Sequence, residues 1–460
     1  MSTEHFATEA WELLGEDPAD PLIRPTIEPR PHLPSPLDVA GLVAGSVTTA
    51  AAQVHRVLVD RGLRHAAPPV VLDGARLTTS VRSDRHFRLD GEPVDAWAPL
   101  SGFWQAADGW VRTHGNYPHH AARLRQVLDI AGDADRDDVA AAIRLRGAHE
   151  LEDAAATAGA ILVTVRSPEE WQSHPQAASV AAQPLLSIER VSDAPTRPWT
   201  EGRLPLEGIR VLDLTRVIAG PVATRDLAFA GADVLRIDSP QVPEIEWQHL
   251  DTGQGKRSTR LDLTNDPDRT ALETLLSTAD VVVTGYRPHS LDRFGLTPAS
   301  LVERHPGLVV ASVSAWGTEG PWAQRRGFDS IVQAASGIAV IESKDGSTPG
   351  AMPAQALDHS AGHFLAAAII ASLRRQRREG GSWAASISLA RVAHALLHAP
   401  RPDPAAEPSQ LAAPALQTAS TSLGEMTVAA PILTYDGAPS SYPELARRWG
   451  DDQPRWTFGS

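Results

Sequence analysis

Ile209-Arg-Val-Leu-Asp-Leu214, Asp233-Val-Leu-Arg-Ile-Asp238, Asp280-Val-Val-Val-Thr284 and Leu308-Val-Val-Ala-Ser-Val-Ser314 are four short runs rich in aliphatic and β-branched residues. Each reads as a strand, and helical patterns over 221–230, 266–277 and 298–304 stand between them. Strands alternating with helices predict an α/β fold: a parallel, doubly wound sheet, Rossmann-like in arrangement. Ligands of such sheets bind beyond the carboxyl ends of the strands. The turn after the first strand reads Ala219-Gly-Pro-Val-Ala223, not Gly-x-Gly-x-x-Gly, so a nicotinamide dehydrogenase is not expected.

Downstream, a long Ala-rich helix is expected over 360–378, ending at Gly380-Gly381, with Asp358 just before it. Residues 399–422, rich in Pro, Ala and Ser, read as a flexible linker, and 423–460 as a closing segment with a short strand pair between 424 and 436. Upstream, 191–206 reads as a linker because of its prolines and charges. The region 31–200 reads as a second, smaller α+β domain. It holds a helix over 37–61, tight turns at Asp90-Gly91 and Asp108-Gly109, and helical patterns over 120–131 and 137–158. Residues 1–30, acidic and Pro-containing, read as a mobile tail. The helix 37–61 echoes the later one: Leu37-Asp38-Val-Ala-Gly41 and Leu357-Asp358-His-Ser-Ala-Gly362 each open an Ala-rich helix. Two Asp-capped helix starts or a partial duplication both explain the echo.

Composition narrows the function. Of 460 residues, 42% are hydrophobic and 21% charged, as in a globular protein, and the length calls for two or three domains. With no cysteine, disulfides, thiolate metal sites and cysteine nucleophiles are excluded. A net charge of -14 argues against nucleic acid as a partner. The N-terminus lacks a basic stretch followed by an apolar run, and apolar stretches such as Phe364-Leu-Ala-Ala-Ala-Ile-Ile-Ala371 are short for a bilayer. A cytoplasmic protein with no membrane partner is therefore expected. No His-x-x-x-His helix with an accompanying acid appears, so no metal site is expected.

Several motifs in order resemble the class III CoA-transferase family, whose relatives include formyl-CoA and carnitine CoA-transferases and α-methylacyl-CoA racemase. They are Leu206-Glu-Gly-Ile-Arg-Val-Leu-Asp-Leu-Thr-Arg-Val-Ile-Ala-Gly-Pro221, Gly231-Ala-Asp-Val-Leu-Arg-Ile-Asp238, Gly255-Lys-Arg-Ser-Thr-Arg-Leu-Asp-Leu263, Ala279-Asp-Val-Val-Val-Thr-Gly-Tyr-Arg-Pro288, Leu291-Asp-Arg-Phe-Gly-Leu296, Gly327-Phe-Asp-Ser-Ile-Val-Gln333 and Gln355-Ala-Leu-Asp-His-Ser-Ala-Gly362. Ser101-Gly-Phe-Trp-Gln-Ala-Ala-Asp-Gly-Trp-Val111 and Arg166-Ser-Pro-Glu-Glu-Trp-Gln-Ser-His-Pro-Gln176 resemble the family's second domain, which here precedes the CoA-binding domain at 201–398 instead of following it. The resemblance implies a homodimer, acyl-CoA and a small carboxylic acid as substrates, and coenzyme A as cosubstrate with no permanently bound cofactor.

It also implies roles. Asp358 matches the family's nucleophile, which attacks the acyl-CoA carbonyl and passes through an aspartyl-CoA thioester. A helix N-terminus would favour its charged form. Arg293 and Arg326 match CoA-contacting positions, Ala219 lies in the first strand-to-helix turn, Tyr286 would pack near it, and Lys256 and Arg257 fall in a Lys-Arg-Ser segment the family shares. Two readings stand beside CoA transfer. One is 2-methylacyl-CoA racemisation, disfavoured because Phe328 stands where racemases carry a histidine base. The other is a non-catalytic CoA-binding subunit, suggested by the shuffled order, by the absence of a recognisable glycine-rich loop and by Ser239-Pro240 replacing an arginine and a Gly-Asp pair. Asp38 is a second candidate for the chemistry.

Overall fold

The computed structural model describes residues 3–402 and 411–457. Its centre is a seven-stranded sheet in the order Lys256–Arg260, Asp233–Asp238, Arg210–Leu214, Val281–Thr284, Val309–Ser314, Ser382–Ser388, Leu186–Ser192. The first six strands run parallel and the last is antiparallel to its neighbour. The order reverses at Arg210–Leu214, where the chain first crosses one face and then the other, so this is the doubly wound arrangement expected. Val211, Leu212, Val281, Val282, Val283 and Val309 are fully buried because helices cover both faces.

Local chemistry sets the helix ends. Asn265 Oδ1 accepts from the Asp268 N–H at 2.9 Å and Thr297 Oγ1 from the Ser300 N–H at 3.1 Å, with a proline in the first turn of each helix. The Ala356–Glu379 helix ends at Gly380 with φ +70°, a conformation that suits glycine.

That helix and Val39–Asp60 lie along each other in the main core. Both are long and apolar enough to cross a membrane by length and composition, which the short apolar stretches noted in the sequence did not suggest. Their apolar surfaces are instead consumed by protein packing. Gly362 lets the Ala219–Phe229 helix come close: a Cβ there would stand 2.6 Å from the Ala219 carbonyl oxygen.

The smaller unit expected in the N-terminal half exists. Strands Gly102–Gln105, Trp110–Thr113 and Leu162–Thr164 form an antiparallel sheet. With helices Pro118–Leu128, Arg136–Arg144 and Ala148–Ala158 they enclose a separate core around Trp104, Leu124 and Leu151. Other boundaries differ from expectation. In place of the tail expected over 1–30, the described residues from 3 on are ordered: Thr3–Leu13 is a helix with Phe6 and Trp11 fully buried, tied down by a Glu9–Arg391 ion pair of 3.1 Å. Its acidic residues reach arginines of the sheet domain, which composition alone does not reveal. Leu186–Ser192 overlaps the expected linker and forms the sheet's antiparallel edge. Of the expected linker 399–422, residues 403–410 lie outside the described residues. Leu416–Thr421 is a strand, which pairs with Gly424–Ala429 and through it with Arg88–Leu89. N-terminal and C-terminal segments are thus interleaved, and the partition at residue 200 does not separate them.

Candidate active site

The Ala356–Glu379 helix begins earlier than expected, with Gln355 at its N-cap, so Asp358 sits inside the first turn instead of capping it. The cap is supplied by another carboxylate. Asp329, the first residue of the Asp329–Ala335 helix, is fully buried, and its Oδ2 accepts from the Asp358 N–H at 3.0 Å. Its Oδ1 accepts from Gln333 Nε2, and Gln333 Oε1 accepts from the Met352 N–H at 2.9 Å. An anion at a helix N-terminus is well placed, and here that anion is Asp329.

The consequence for Asp358 reverses the expectation that the helix start would keep it charged. Burial, followed by the charge of Asp329, pushes its carboxyl well above the ordinary carboxylate range. Burial lifts Asp329 to about 6, against hydrogen bonds from Gln333, Asp358 and Leu357 that favour its charged form. Two carboxylates this close do not both ionise readily. Because the backbone donors serve Asp329, the proton of the pair belongs on Asp358.

Asp358 faces a cavity of about 50 Å³ assembled from distant parts of the chain. The N-terminal half supplies Asp84, Trp97 and His114. The first crossover supplies Val217 and Ile218, and the helix Glu246–Thr252 supplies Trp247, Gln248 and Asp251. Phe328 and His359 complete it. Val217 has φ +72°, a costly conformation for a β-branched residue. The turn is held there by a buried network: Asp213 accepts from the Thr215 N–H at 2.9 Å and from Lys256 Nζ at 3.1 Å, and Lys256 also donates to the Pro221 carbonyl at 2.7 Å. Phe328 stacks on His114, ring centroids 3.8 Å apart. Burial, followed by Arg112, holds the His114 imidazole down at about 3, so it stays neutral. His359 is likewise held well below its ordinary value by burial.

The remaining sequence-derived residues fall into two groups. Ala219 and Tyr286 lie at the carboxyl ends of neighbouring strands, as expected. Ala219 is buried at the start of its helix, and burial, followed by Asp238, pushes the half-buried Tyr286 hydroxyl up to about 12. Arg326 is half-buried, and burial followed by Arg287 and Arg123 lowers it to about 10. None of these three arginines is paired with a carboxylate among the described residues. Arg293 is exposed and lies over Phe294, 4.6 Å from its ring centroid.

Lys256 and Arg257 do not join a ligand site. Lys256 is spent on the Asp213 network, where burial lowers it to about 8. Arg257 pairs with Asp233 at 2.7 Å and donates to the Arg455 carbonyl. A shared segment reveals that a cation is needed, not whether it faces ligand or protein.

Sequence reasoning passed over Asp329, His114, Trp97, Trp247, Asp251, Arg123 and Arg287. Asp329 and Arg287 were within reach, inside Gly327-Phe-Asp329 and Tyr286-Arg-Pro288. The others come from segments far from Asp358 in sequence, and only the fold brings them to the site.

Residues 206–418 match the family model described as CoA-transferase family III. That segment belongs to CoA-transferase family III. A probable fatty acyl-CoA transferase of Mycobacterium tuberculosis is 34% identical over 196 residues, 40% of this chain and 50% of that protein. An acyl-CoA transferase of Gibberella moniliformis is 29% identical over 342 residues, 71% of this chain and 57% of that protein. A succinate–glutarate CoA-transferase of Agrobacterium fabrum is 32% identical over 225 residues, 45% of this chain and 55% of that protein. The chain therefore spans about half the length of these CoA-transferase relatives. The matched segment holds Asp358, Asp329, Phe328 and the crossover turn, whereas Trp97, His114 and Arg123 lie outside it.

Proposed function

We propose that the chain is an acyl-CoA:carboxylate CoA-transferase with Asp358 as nucleophile. The observation that carries this reading is the placement of Asp358. It is a carboxylic acid on the first turn of a buried helix, inside the family-matched segment, with its carboxyl facing a small cavity beside the first crossover turn. Coenzyme A exchanged between two carboxylic acids passes naturally through anhydrides, which a carboxylate nucleophile makes.

In the proposed sequence, ionised Asp358 attacks the thioester carbonyl and the C–S bond breaks, giving a mixed anhydride and CoA thiolate. The thiolate attacks the aspartyl carbonyl, so the donor acid leaves and a thioester joins Asp358 to CoA. The acceptor carboxylate attacks that thioester and releases thiolate again. The thiolate then takes the acceptor acyl group from the second anhydride and restores Asp358. The proton that Asp358 holds in the free protein must be lost before the first attack. Arg326, Arg287 and Arg123, without a carboxylate partner among the described residues, offer guanidinium groups for CoA phosphates. Coenzyme A is then a cosubstrate, the second substrate a small carboxylic acid, the working form a homodimer and the compartment cytoplasmic.

Racemisation gains nothing from the geometry. Phe328 carries no proton, and the His114 stacked on it is too weak a base to remove an α-hydrogen.

The test is intact-mass spectrometry after mixing the protein with a panel of acyl-CoAs, followed by peptide mapping. A CoA adduct on the peptide holding Asp358 is expected. Acyl-CoA binding without any adduct would move the protein to the non-catalytic CoA-binding reading.

A further inference from the structure

This inference rests on the acyl-transfer reading above and concerns which acid is used. The cavity in front of Asp358 carries charge that the transfer chemistry does not require. Asp84 and Asp251 line it beside Asp358, and no arginine or lysine lines it among the described residues. Asp251 and Gln248 are only 5% and 7% exposed. Asp251 Oδ2 accepts from Ser83 Oγ at 2.5 Å, but Asp251 Oδ1 and Gln248 Oε1 have no partner among the described residues. Both atoms only accept hydrogen bonds, and a buried acceptor without a donor is unfavourable. The residues that line the cavity supply these two atoms with no donor, although Arg225 Nε and Nη2, beside Asp251 and outside the lining, also have no partner among the described residues.

The charges around this wall sharpen the demand. Two neighbouring cations do not line the cavity: Arg112 lies over the Trp97 ring, 4.7 Å from its centroid, and Arg225 donates from Nη1 to the Asp251 carbonyl at 3.2 Å, with its guanidinium 5.9 Å from the Tyr442 ring. Aromatic walls are Trp97, Trp247 and Phe328; Phe328 stacks on His114 and Trp97 carries Arg112, whereas no cation lies over the Trp247 ring among the described residues, and such a ring face attracts cations. The remaining polar residues of the lining carry no charge: Ser83, Asn116 and Gln355 are uncharged, and burial keeps His114 and His359 neutral. A second carboxylate on the substrate would meet Asp84 and Asp251 and be repelled.

We infer that the acid substrate is a short ω-amino acid, whose carboxylate meets Asp358 while its protonated amino group is received by Asp251, Gln248 and the Trp247 face. The amino group takes no part in bond making and keeps its protons throughout. A cavity of about 50 Å³ admits only a few heavy atoms beyond the carboxylate. This separates the chain from a dicarboxylate enzyme such as its succinate–glutarate relative.

The experiment compares four-carbon acids as acceptors: 4-aminobutanoate, 4-hydroxybutanoate, butanoate and succinate, with whichever acyl-CoA loads Asp358. We expect kcat/KM for 4-aminobutanoate to exceed that for each of the others by about ten-fold or more. Asp251→Asn, which keeps an acceptor for Ser83, and Gln248→Leu should each bring the 4-aminobutanoate to butanoate ratio toward one. Preference for succinate, equal use of 4-hydroxybutanoate, or an unchanged ratio in Asp251→Asn would overturn the assignment. If no acyl-CoA loads Asp358, the transferase reading fails by itself. Calorimetric binding of the same acids to the full chain then decides the pocket: tighter 4-aminobutanoate than butanoate supports it, and equal or weaker binding overturns it.

Discussion

Two long buried helices begin with nearly the same words, Leu37-Asp38 and Leu357-Asp358, and they lie side by side in the core. Their aspartates nevertheless occupy different positions. Asp38 is the N-cap of its helix, and its Oδ1 accepts from the Gly41 N–H at 3.0 Å. Asp358 is one turn further in, and its cap is the separate carboxylate of Asp329. One aspartate spends an oxygen on its own helix; the other has no hydrogen bond to its carboxyl oxygens among the described residues and faces a cavity. On the proposed reading of Asp358, a helix N-terminus alone is insufficient to make a nucleophile. The added requirements are a second group that takes over the capping, and open space in front.

The largest expected effect breaks the pair apart directly. Asp358→Ala should lower transfer by roughly a thousand-fold or more while CoA binding persists. Asp38→Ala, measured in the same assay, should leave the folded protein's transfer rate within a few-fold of the parent. Equal losses in both variants would show that the capping difference does not decide the chemistry.

A smaller loss should come from the phosphate side. Arg326→Gln removes one of three clustered guanidinium groups and should raise KM for acyl-CoA by about ten-fold, with kcat little changed, as expected for a charge-assisted hydrogen bond. The same change at Arg257, which is committed to Asp233 and the C-terminal segment, should leave KM unmoved.

These contrasts also mark where sequence was legible. The four apolar runs of the parallel sheet and the Asp-helix echo could be read because local composition carries them: β-branched runs for buried strands, Ala-rich runs for buried helices. The cap could not be read, since Asp329 is 29 positions from Asp358. Nor could the fates of Lys256 and Arg257, whose partners lie on other strands or at the far terminus. The buried N-terminal helix was hidden for the same reason: Glu9 and Glu16 look solvated until Arg391 and Arg374 are brought to them. Long-range pairing decides all of these, and composition is blind to it.

Capping by Asp329 has a signature in pH. Its charge is the second cause, after burial, of the raised Asp358 value. Asp329→Asn removes the charge and keeps an oxygen that can cap the helix. The acidic limb of the kcat/KM profile, where Asp358 must lose its proton, should therefore move to lower pH in the variant. A limb that stays in place would mean that burial alone sets the value.

The finest contrast is in stability. Asp358 has a folded value above its unfolded value, so the folded state holds its proton longer. Stability from this group is fully present below the unfolded value, about 4, and is lost as pH rises through the raised folded value. Asp358→Asn removes that loss. Its melting temperature should match the parent near pH 4 and exceed it at neutral pH. Asp38 is also raised, by burial working against its hydrogen bond from Gly41, but its oxygen does structural work. Asp38→Ala should therefore cost about 1 kcal/mol, the usual worth of an N-cap, whereas Asp38→Asn should retain most of it. If Asp38→Ala instead stabilised the protein at neutral pH, desolvation would outweigh capping at Asp38 as well, and the two aspartates would differ only in the cavity that one of them faces.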